Sequence, residues 1–450
     1  MCPDCSRRGL LKTIGSGFGY LAFSALAHEV WAAEQAYVSP LAAKLPHFPA
    51  KAKRVIFLFM QGGPSHVDTF DYKPKLASDF GKGGPGGRLL PSPFKFKRSG
   101  RGGLWISELF PKIAEQADSL CLVNSMHTDS PAHPQATIQM HTGSSQFVRP
   151  SVGSWVLYGL GTPNQSLPGF MVIDPPGGVG GAQNYGNAFL PAAFQGTRVG
   201  GGSTIPDIAN KTLTGAQQRR QLDLLQAMNH EYLARSGDHQ DVEGVIESFE
   251  LGFRMESTVP EVMDISREPQ RVQEMYGIGN GGPTEKFGRQ CLMARRLAEA
   301  GVRFIEIGHG GWDQHTNLKQ AMGRNALATD QPIAALLSDL KARGMLKDTL
   351  VVWGGEFGRT PTSQGADGRN HNNRGFTVWM AGGGVKGGMT YGSTDEHGAA
   401  AVENKVHIHD LHATILALLG LDHEKLTYRY AGRDFRLTNV SGNVVKEIMA

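Results

Sequence analysis

The sequence predicts an α/β protein with a mostly parallel central sheet sandwiched between helices. Several short segments are apolar nearly throughout, among them RVIFLFM, VRFIEIG and TLVVWGG. Helical stretches lie between them, and strands that are apolar on both faces are typical of a parallel sheet covered on both sides. With 450 residues and no internal repeat or separate linker, we expect one large domain at residues 50–440.

The elements alternate along the chain, and each predicted helix leads into a predicted strand. After the first strand, RVIFLFM, the helical spacing of ISELFPKIAEQAD precedes the strand SLCLVNS. EKFGRQCLMARRLAEAG then leads into VRFIEIG, DQPIAALLSDLKARGML leads into DTLVVWGGE, and the strand GFTVWMAGG is followed by the helix HDLHATILALLGL. Residues from about 200 to 283 are more polar and helical, which predicts a helical insertion packed against the sheet.

The N-terminal segment, residues 1–33, has the pattern of a twin-arginine signal peptide. Arg7 and Arg8 precede an apolar stretch of roughly 15 residues, too short to span a bilayer comfortably, and Ala32 and Ala33 offer a cleavage site. We expect export by the twin-arginine machinery to the periplasm or beyond, with no stable membrane span in the mature chain. An uncleaved N-terminal anchor is the alternative.

Charge and cysteine content exclude two classes of protein. The formal net charge is +4, and no basic run is interleaved with aromatic residues, so we expect no nucleic-acid partner. Only four cysteines are present, and two of them lie in the signal segment, which excludes a disulfide scaffold.

Polar, glycine-rich clusters follow four of the predicted strands. They are QGGPSHVDTFD, HTDSPAHPQATIQMHTG, GHGGWDQH and GGEFGRTP. In parallel sheets ligands bind beyond the carboxyl ends of the strands, so these clusters predict a functional site at one sheet edge.

Asp313 and His315 are the first candidate metal ligands. In extended backbone, residues two apart project from one face, which suits two ligands of one cation. An aspartate together with a histidine favours zinc or manganese over an all-oxygen calcium site. The alternative is a capping aspartate in a turn before the helix TNLKQAM.

Glu356, Arg359 and His371 extend the candidate site. Glu356 ends an otherwise apolar strand, where a carboxylate is costly unless it is paired or bound to a metal. Its pairing with Arg359 as a structural bridge is an equal alternative, although a guanidinium also suits a tetrahedral anion. His371 lies in a polar loop ahead of a strand that returns to the same edge, and it is either a ligand or a surface residue.

His133 lies at a predicted helix start, where Pro134 fits the first turn. Free N–H groups there attract an anion, so His133 is a candidate nucleophile, ligand or general acid. Ser130 and Asp129 are competing candidates that a plain N-cap also explains. In HIHDLHATILALLG, Asp410 has the pattern of an N-cap, and the histidines have the pattern of a solvated helix start.

These stretches together resemble the exported, sulfatase-like proteins of the "domain of unknown function 1501" family. The segments that carry the resemblance are GGPSHVDTFDYKP, CLMARRLAEAGVRFIEIGHGGWDQHTN, GGEFGRTP, WMAGGGVKGGMTYGSTDEHG and HDLHATILALLGLDHEKLTYRYAGRDFRLT. That family is similar to the alkaline phosphatase and sulfatase superfamily. The resemblance therefore implies an alkaline phosphatase-like fold and hydrolysis of phosphate or sulfate esters with one or two divalent metal ions.

The resemblance also implies roles for individual residues. His133 stands at the position of the nucleophile, counted back from the Thr-Gly that ends its helix. Asp313 and His315 match the ligands after a middle strand, Glu356 stands where the next strand ends in aspartate, and His371 matches the late histidine. The expected metal ligands are therefore Asp313, His315, Glu356 and His371.

The sequence departs from the superfamily pattern in three ways, and two of them bear on the second metal. Gln61 stands where the first strand usually ends in an aspartate ligand, with Asp68 as a more distant substitute, and Phe357 replaces a histidine. We keep Gln61 as a candidate metal-site position. No Cys-x-Pro-Ser-Arg stretch exists, which excludes the formylglycine of true sulfatases.

The sequence thus favours a metal-dependent hydrolase of a small-molecule or polysaccharide ester. In this hypothesis Arg359 stabilises the oxyanion and His133 attacks or donates a proton. A non-catalytic binder of anionic polysaccharide at the cell envelope is the alternative, which Gln61 and Phe357 favour. A structural envelope protein is a third.

Overall fold

The computed structural model describes residues 39–84, 86–175, 179–200, 205, 208, 212–236 and 240–450. The strands, in chain order, are β1 (Arg54–Met60), β2 (Gly83–Gly84), β3 (Gly87–Arg88), β4 (Phe96–Ser99), β5 (Leu104–Ser107), β6 (Leu120–His127), β7 (Phe170–Ile173), β8 (Thr197–Val199), β9 (Phe304–His309), β10 (Thr349–Gly354), β11 (Gly358–Gln364), β12 (Gly368–Asn372), β13 (Phe376–Ala381), β14 (Met389–Tyr391), β15 (Ser393–Thr394), β16 (Ala401–Glu403), β17 (Val406–His407), β18 (Tyr428–Tyr430) and β19 (Arg433–Phe435).

The α-helices are α1 (His66–Thr69), α2 (Lys75–Ser78), α3 (Pro111–Ala114), α4 (His133–Thr142), α5 (Val152–Leu160), α6 (Gly215–Ser236), α7 (Gln240–Met263), α8 (Gln270–Met275), α9 (Glu285–Glu299), α10 (Leu318–Ala342) and α11 (Ile408–Leu418). Short 3-10 helices lie at Ala117–Ser119, Gly181–Tyr185, Ala192–Phe194, Ile265–Arg267, Leu346–Asp348 and Lys446–Ile448.

Nine of the described strands form the central sheet, in the order β14-β6-β13-β10-β1-β9-β7-β8, with β17 also paired to β6. β1 lies between β9 and β10, and all three run parallel. β13 is antiparallel to both of its neighbours, β10 and β6. The prediction of a mostly parallel sheet sandwiched by helices is therefore confirmed.

Two hydrophobic cores lie on opposite faces of this sheet, as the alternation along β1 shows. Ile56, Leu58 and Met60 pack into one core, together with α9 and α10. Phe57 and Phe59 pack into the other, together with α5 and α11. Because successive strand residues point to opposite faces, a strand buried on both sides has to be apolar throughout.

Two local predictions were wrong. In ISELFPKIAEQAD only Pro111–Ala114 is α-helical, because Ile106 and Ser107 belong to β5, which pairs with β4. The segment around His371, predicted to be a loop, is the strand β12, which pairs with β11 in a hairpin. Both segments form strands because they pair with another strand. Helical spacing and polarity within the segment do not predict such a pairing.

The C-terminal helix α11 also differs from its prediction. His407 is the N-cap, and Asp410 occupies the third helical position, where its carboxylate accepts the N–H of His407. His409 and His412 are buried, and each ring bonds to a backbone carbonyl, of Gly143 and Met140 respectively. The prediction of a solvated helix start was therefore wrong for these two histidines.

Several helices lie in the region predicted as an insertion, among them α6 and α7, which contact each other. The predicted signal peptide, residues 1–33, lies outside the described residues. Within the described part of the chain, no helix combines the length and apolarity that a membrane crossing requires.

Candidate metal centre

The carboxyl ends of β6, β10, β1 and β9 meet at one edge of the sheet, because these four strands run in the same direction. The antiparallel β13 begins at that edge, so the β11–β12 hairpin that precedes it also lies there. This edge collects the four polar clusters that the sequence placed after its strands.

Four candidate ligands converge at this edge: His133, Asp313, His315 and His371. One ligand atom from each lies within 4.8 Å of the others. The Oδ1 atom of Asp313 is 2.8 Å from Nε2 of His315, 3.2 Å from Nε2 of His371 and 3.3 Å from Nε2 of His133. The two Nε2 atoms of His315 and His371 are 3.0 Å apart.

Each of the three imidazole rings is oriented by an oxygen on its far side. Nδ1 of His371 donates to the carbonyl of Pro131 at 2.7 Å, and Nδ1 of His315 donates to Oε1 of Gln364 at 2.5 Å. Nδ1 of His133 donates to Oε1 of Glu356 at 2.6 Å. A ring held through Nδ1–H presents the lone pair of its Nε2, which is the arrangement that metal-binding histidines show.

The ring of His133 has one unpaired nitrogen. Its Nε2 atom is buried and has no hydrogen-bond partner among the described residues. Burial lowers the pKa of His133, but the carboxylates of Asp313 and Glu356 outweigh it and raise the pKa to about 9. The two carboxylates that favour a proton on this ring would also attract a metal cation, which would displace that proton and bind Nε2.

Asp313 is ionised, and Arg359 helps to keep it so. Burial opposes the charge, but the close imidazoles of His133 and His371 and the guanidinium of Arg359 hold the pKa of Asp313 well below its usual range. The guanidinium of Arg359 is fully buried, and it donates to the carbonyls of Gly62 and Gly63 as well as to Asp313. Arg359 is thus bound on all sides by the protein.

Glu356 lies behind His133. Its carboxylate is completely buried, and it accepts the N–H of Gly62 at 3.0 Å in addition to the bond from His133. Among the described residues it forms no ion pair with Arg359, so the alternative of a structural Glu–Arg bridge was wrong. The partner of Arg359 is Asp313, from a different strand end.

The β11–β12 hairpin that carries His371 is fastened by a second buried ion pair. Nε and Nη2 of Arg369 donate to the two oxygens of Asp68 at 2.7 and 3.1 Å, and both side chains are fully buried. The sequence suggested Asp68 as a substitute metal ligand, but both of its carboxylate oxygens bind Arg369. Arg359 and His371 are directly paired across the hairpin, which fixes their spacing.

Two glycines allow this close packing. A Cβ atom on Gly62 would lie 2.5 Å from the backbone nitrogen of Asp313, and Gly62 has a φ of +117°, which disfavours any side chain. A Cβ atom on Gly368 would overlap the carbonyl oxygen of His315. The glycines in QGG and DGRN are thus requirements of the ligand geometry.

Gln61 and Phe357, which replace metal ligands of the superfamily pattern, have different surroundings. Gln61 lines a neighbouring cavity with Gly310. The ring of Phe357 packs against those of His133 and His371, with centroids 4.8 and 4.7 Å away. Phe357 therefore packs an apolar ring against these two histidines.

Comparison with known proteins assigns the chain to a family. The model of the family described as "Protein of unknown function (DUF1501)" matches residues 52–449. The chain belongs to the DUF1501 family. No curated protein matches it significantly.

Solved structures that resemble this DUF1501 chain are distant in sequence. The PsFucS1 sulfatase from Pseudoalteromonas sp. is 13% identical, with a TM-score of 0.36 and coverage of 83% of this chain and 68% of the sulfatase. A TAB5 alkaline phosphatase mutant with magnesium is 12% identical (TM-score 0.33; 74% and 92%). The C-terminal periplasmic domain of EcEptC from Escherichia coli, in complex with zinc, is 10% identical (TM-score 0.37; 85% and 87%).

Sequence reasoning missed several residues that orient the DUF1501 site. Gln364, Arg369 and the carbonyl of Pro131 hold or support the histidines, and none was a candidate. Arg369 could have been noticed in the sequence, because it is a charged residue between Gly368 and the candidate ligand His371. Gln364 and Pro131 gave none, because their contacts depend on the fold of the hairpin.

Proposed function

We propose that this DUF1501 chain is an exported, metal-dependent hydrolase of phosphate or sulfate esters. One divalent cation, zinc or manganese, is held by His133, Asp313, His315 and His371. The observation that carries the proposal is the convergence of three Nε2 atoms on one carboxylate oxygen. Three imidazoles and a carboxylate suit these two metals.

A catalytic rather than a purely structural ion is supported by exposure at the cluster. The side chain of Asp313 is 43% exposed, and that of His315 is 33% exposed. The ligand set therefore opens to solvent on one side, where a substrate oxygen would approach as a fifth ligand of the ion. The ion would supply polarisation of the ester and of an attacking water. The ester class itself rests on the sequence resemblance.

The remaining residues of the site have supporting parts in this proposal. Glu356 fixes the ring of His133 and keeps its proton on Nδ1. Arg359 holds Asp313, and an additional role on the oxyanion would require it to give up bonds to backbone carbonyls. His133 acts as a ligand in this arrangement, instead of the nucleophile that the resemblance implied.

The test is metal content and ester hydrolysis of the folded, exported protein. Elemental mass spectrometry of wild type should find about one transition-metal ion per chain, and an Asp313→Ala/His371→Ala double variant should hold none. A screen with p-nitrophenyl phosphate and p-nitrophenyl sulfate should then show turnover that the double variant lacks. A wild-type protein without metal, or turnover that survives in the double variant, contradicts the proposal.

The alternative of a non-catalytic binder of anionic polysaccharide has one supporting observation. Arg149 and Arg433 both lie over the ring of Phe435, 4.6 and 4.9 Å from its centroid. Guanidinium groups on an aromatic ring suit a sulfated chain. Retention on immobilised chondroitin sulfate, lost in an Arg149→Ala/Arg433→Ala variant, in a protein that turns over neither p-nitrophenyl ester, would favour this alternative.

A further inference from the structure

A cavity of about 460 Å³ lies at the same sheet edge as the candidate metal centre. It lies beyond the ends of β1, β7 and β9, next to the first turns of α9. The residues that matter for its chemistry are Gln61, Asp174, Lys286, Gln290, His309 and Gly310. Its volume falls in the range of about 300 to 1,000 Å³ that small-molecule sites occupy.

The polar groups of the cavity are held in place by one another. The carboxylate of Asp174, just after β7, lies 2.5 Å from Nζ of Lys286 and accepts a hydrogen bond from Nε2 of Gln290 at 3.1 Å. This ion pair balances the charges of the two side chains. The cavity therefore offers donors and acceptors together, with little net charge.

His309 contributes an uncharged ring to the lining of the cavity. Its Nδ1 accepts the indole N–H of Trp312 at 3.1 Å, which leaves the proton of the neutral ring on Nε2. Burial, with a smaller contribution from the charge of Lys286, lowers the pKa of His309 to about 4. The ring is therefore uncharged at neutral pH, and it adds no positive charge that would attract an anion.

The cavity and the metal centre share one loop. His309 and Gly310 line the cavity, and Asp313, three residues after Gly310, belongs to the ligand cluster. The carbonyl of Gln61 accepts the N–H of Trp312 at 3.1 Å, which ties the cavity wall to the residue before Asp313. The loop that supplies Asp313 to the ligand cluster therefore also forms part of the cavity lining.

We propose that this cavity binds the uncharged, polyhydroxyl part of the ester, a sugar ring that carries the phosphate or sulfate group. This inference rests on the proposed function. Hydroxyl groups both donate and accept, and so match the carboxamides of Gln61 and Gln290 and the Asp174–Lys286 pair. An apolar alcohol would leave these groups unpaired, at a cost in affinity, and an anion would face the carboxylate of Asp174.

The test measures binding of free monosaccharides, so that it does not depend on turnover. Saturation-transfer difference NMR would be recorded for glucose, galactose and mannose with metal-loaded and with metal-stripped protein. The variants are Gln290→Ala and Lys286→Met. Lys286 is 70% exposed, so its substitution keeps the test open if the Gln290 variant does not fold. Arg289→Ala is the matched control, because Arg289 lies on the same helix and pairs with Glu285.

At least one monosaccharide should bind wild type with or without metal, and each cavity variant should weaken its binding about tenfold. Binding to the Arg289→Ala protein should be unchanged. No binding to wild type, or an equal loss in Arg289→Ala, overturns the inference. Sugar binding without any ester hydrolysis would instead sustain the cavity assignment and contradict the proposed function, so the two failures are distinguishable.

Discussion

The carboxylate of Glu356 accepts the Nδ1–H of His133 at 2.6 Å, although 223 positions separate the two residues in the chain. The bond joins the segment just after β10 to the first residue of α4, and it turns Nε2 of His133 toward Asp313. A carboxylate behind a ligand imidazole fixes the tautomer of the ring and raises its basicity.

Replacing Glu356 with glutamine should weaken metal binding about 10- to 100-fold, because the amide keeps the size of the side chain but loses the charge that supports His133. Competition with a chromophoric zinc chelator measures the affinity. Glu403→Gln, at an exposed residue bonded to Ser393, is the control. Equal zinc affinity in wild type and Glu356→Gln would separate Glu356 from the metal centre.

Replacing His315 with alanine should lower the bound metal to a small fraction of the wild-type content, because one of four donors is lost and Gln364 loses its partner. His397→Ala is a matched control, since that ring is partly exposed and pairs with Asp79 away from the cluster. Elemental mass spectrometry after dialysis reports both variants. Retention of metal by His315→Ala would place the ion elsewhere.

Breaking the Asp68–Arg369 pair should destabilise the fold strongly. Arg369→Met leaves the carboxylate of Asp68 buried without its ion-pair partner, and loss of one partner of a buried pair costs about 3 to 5 kcal/mol. Urea unfolding measures the change in the free energy of unfolding. An Asp68→Leu/Arg369→Met double variant should recover part of the loss, and a double variant no more stable than the single would contradict this account.

Gly368→Ala should impair metal binding, because the added methyl group would overlap the carbonyl of His315 and force β12 away from it. Gly323→Ala is the control: its Cβ would meet no atom, and it lies inside α10. That substitution should stabilise the protein by up to about 1 kcal/mol. Zinc titration and thermal melting of both variants check the contrast, which fails if Gly368→Ala binds zinc like wild type.

Acid should destabilise the protein partly through His412. Burial lowers the pKa of His412 from 6.5 to about 3 in the folded state. Between these values the unfolded chain binds the proton and the folded chain does not, so this contribution is complete above pH 6.5 and is lost as the pH falls toward 3. His412→Gln should flatten the pH dependence of the free energy of unfolding over that interval. Parallel curves for the two proteins would exclude His412 as a source.

Much of the fold and part of the candidate site could be predicted from local sequence. Apolar strands flanked by helices predicted the parallel sheet, and the polar clusters after four of those strands predicted the edge at which the ligands meet. Asp313 and His315 could be recognised by their spacing, and His133 by its helix start. These features depend on neighbouring residues and on strand direction, and local sequence is therefore sufficient to predict them.

The pairings within the site were decided only by the tertiary structure. Local sequence favoured Arg359 as the partner of Glu356, three residues away, but the fold gives Arg359 to Asp313 and His133 to Glu356. It also turns the segment around His371 into a strand and joins Arg369 to Asp68. The physical reason is that a buried charge takes the partner that the packing of distant strands brings within hydrogen-bond reach, and proximity along the chain does not determine that distance.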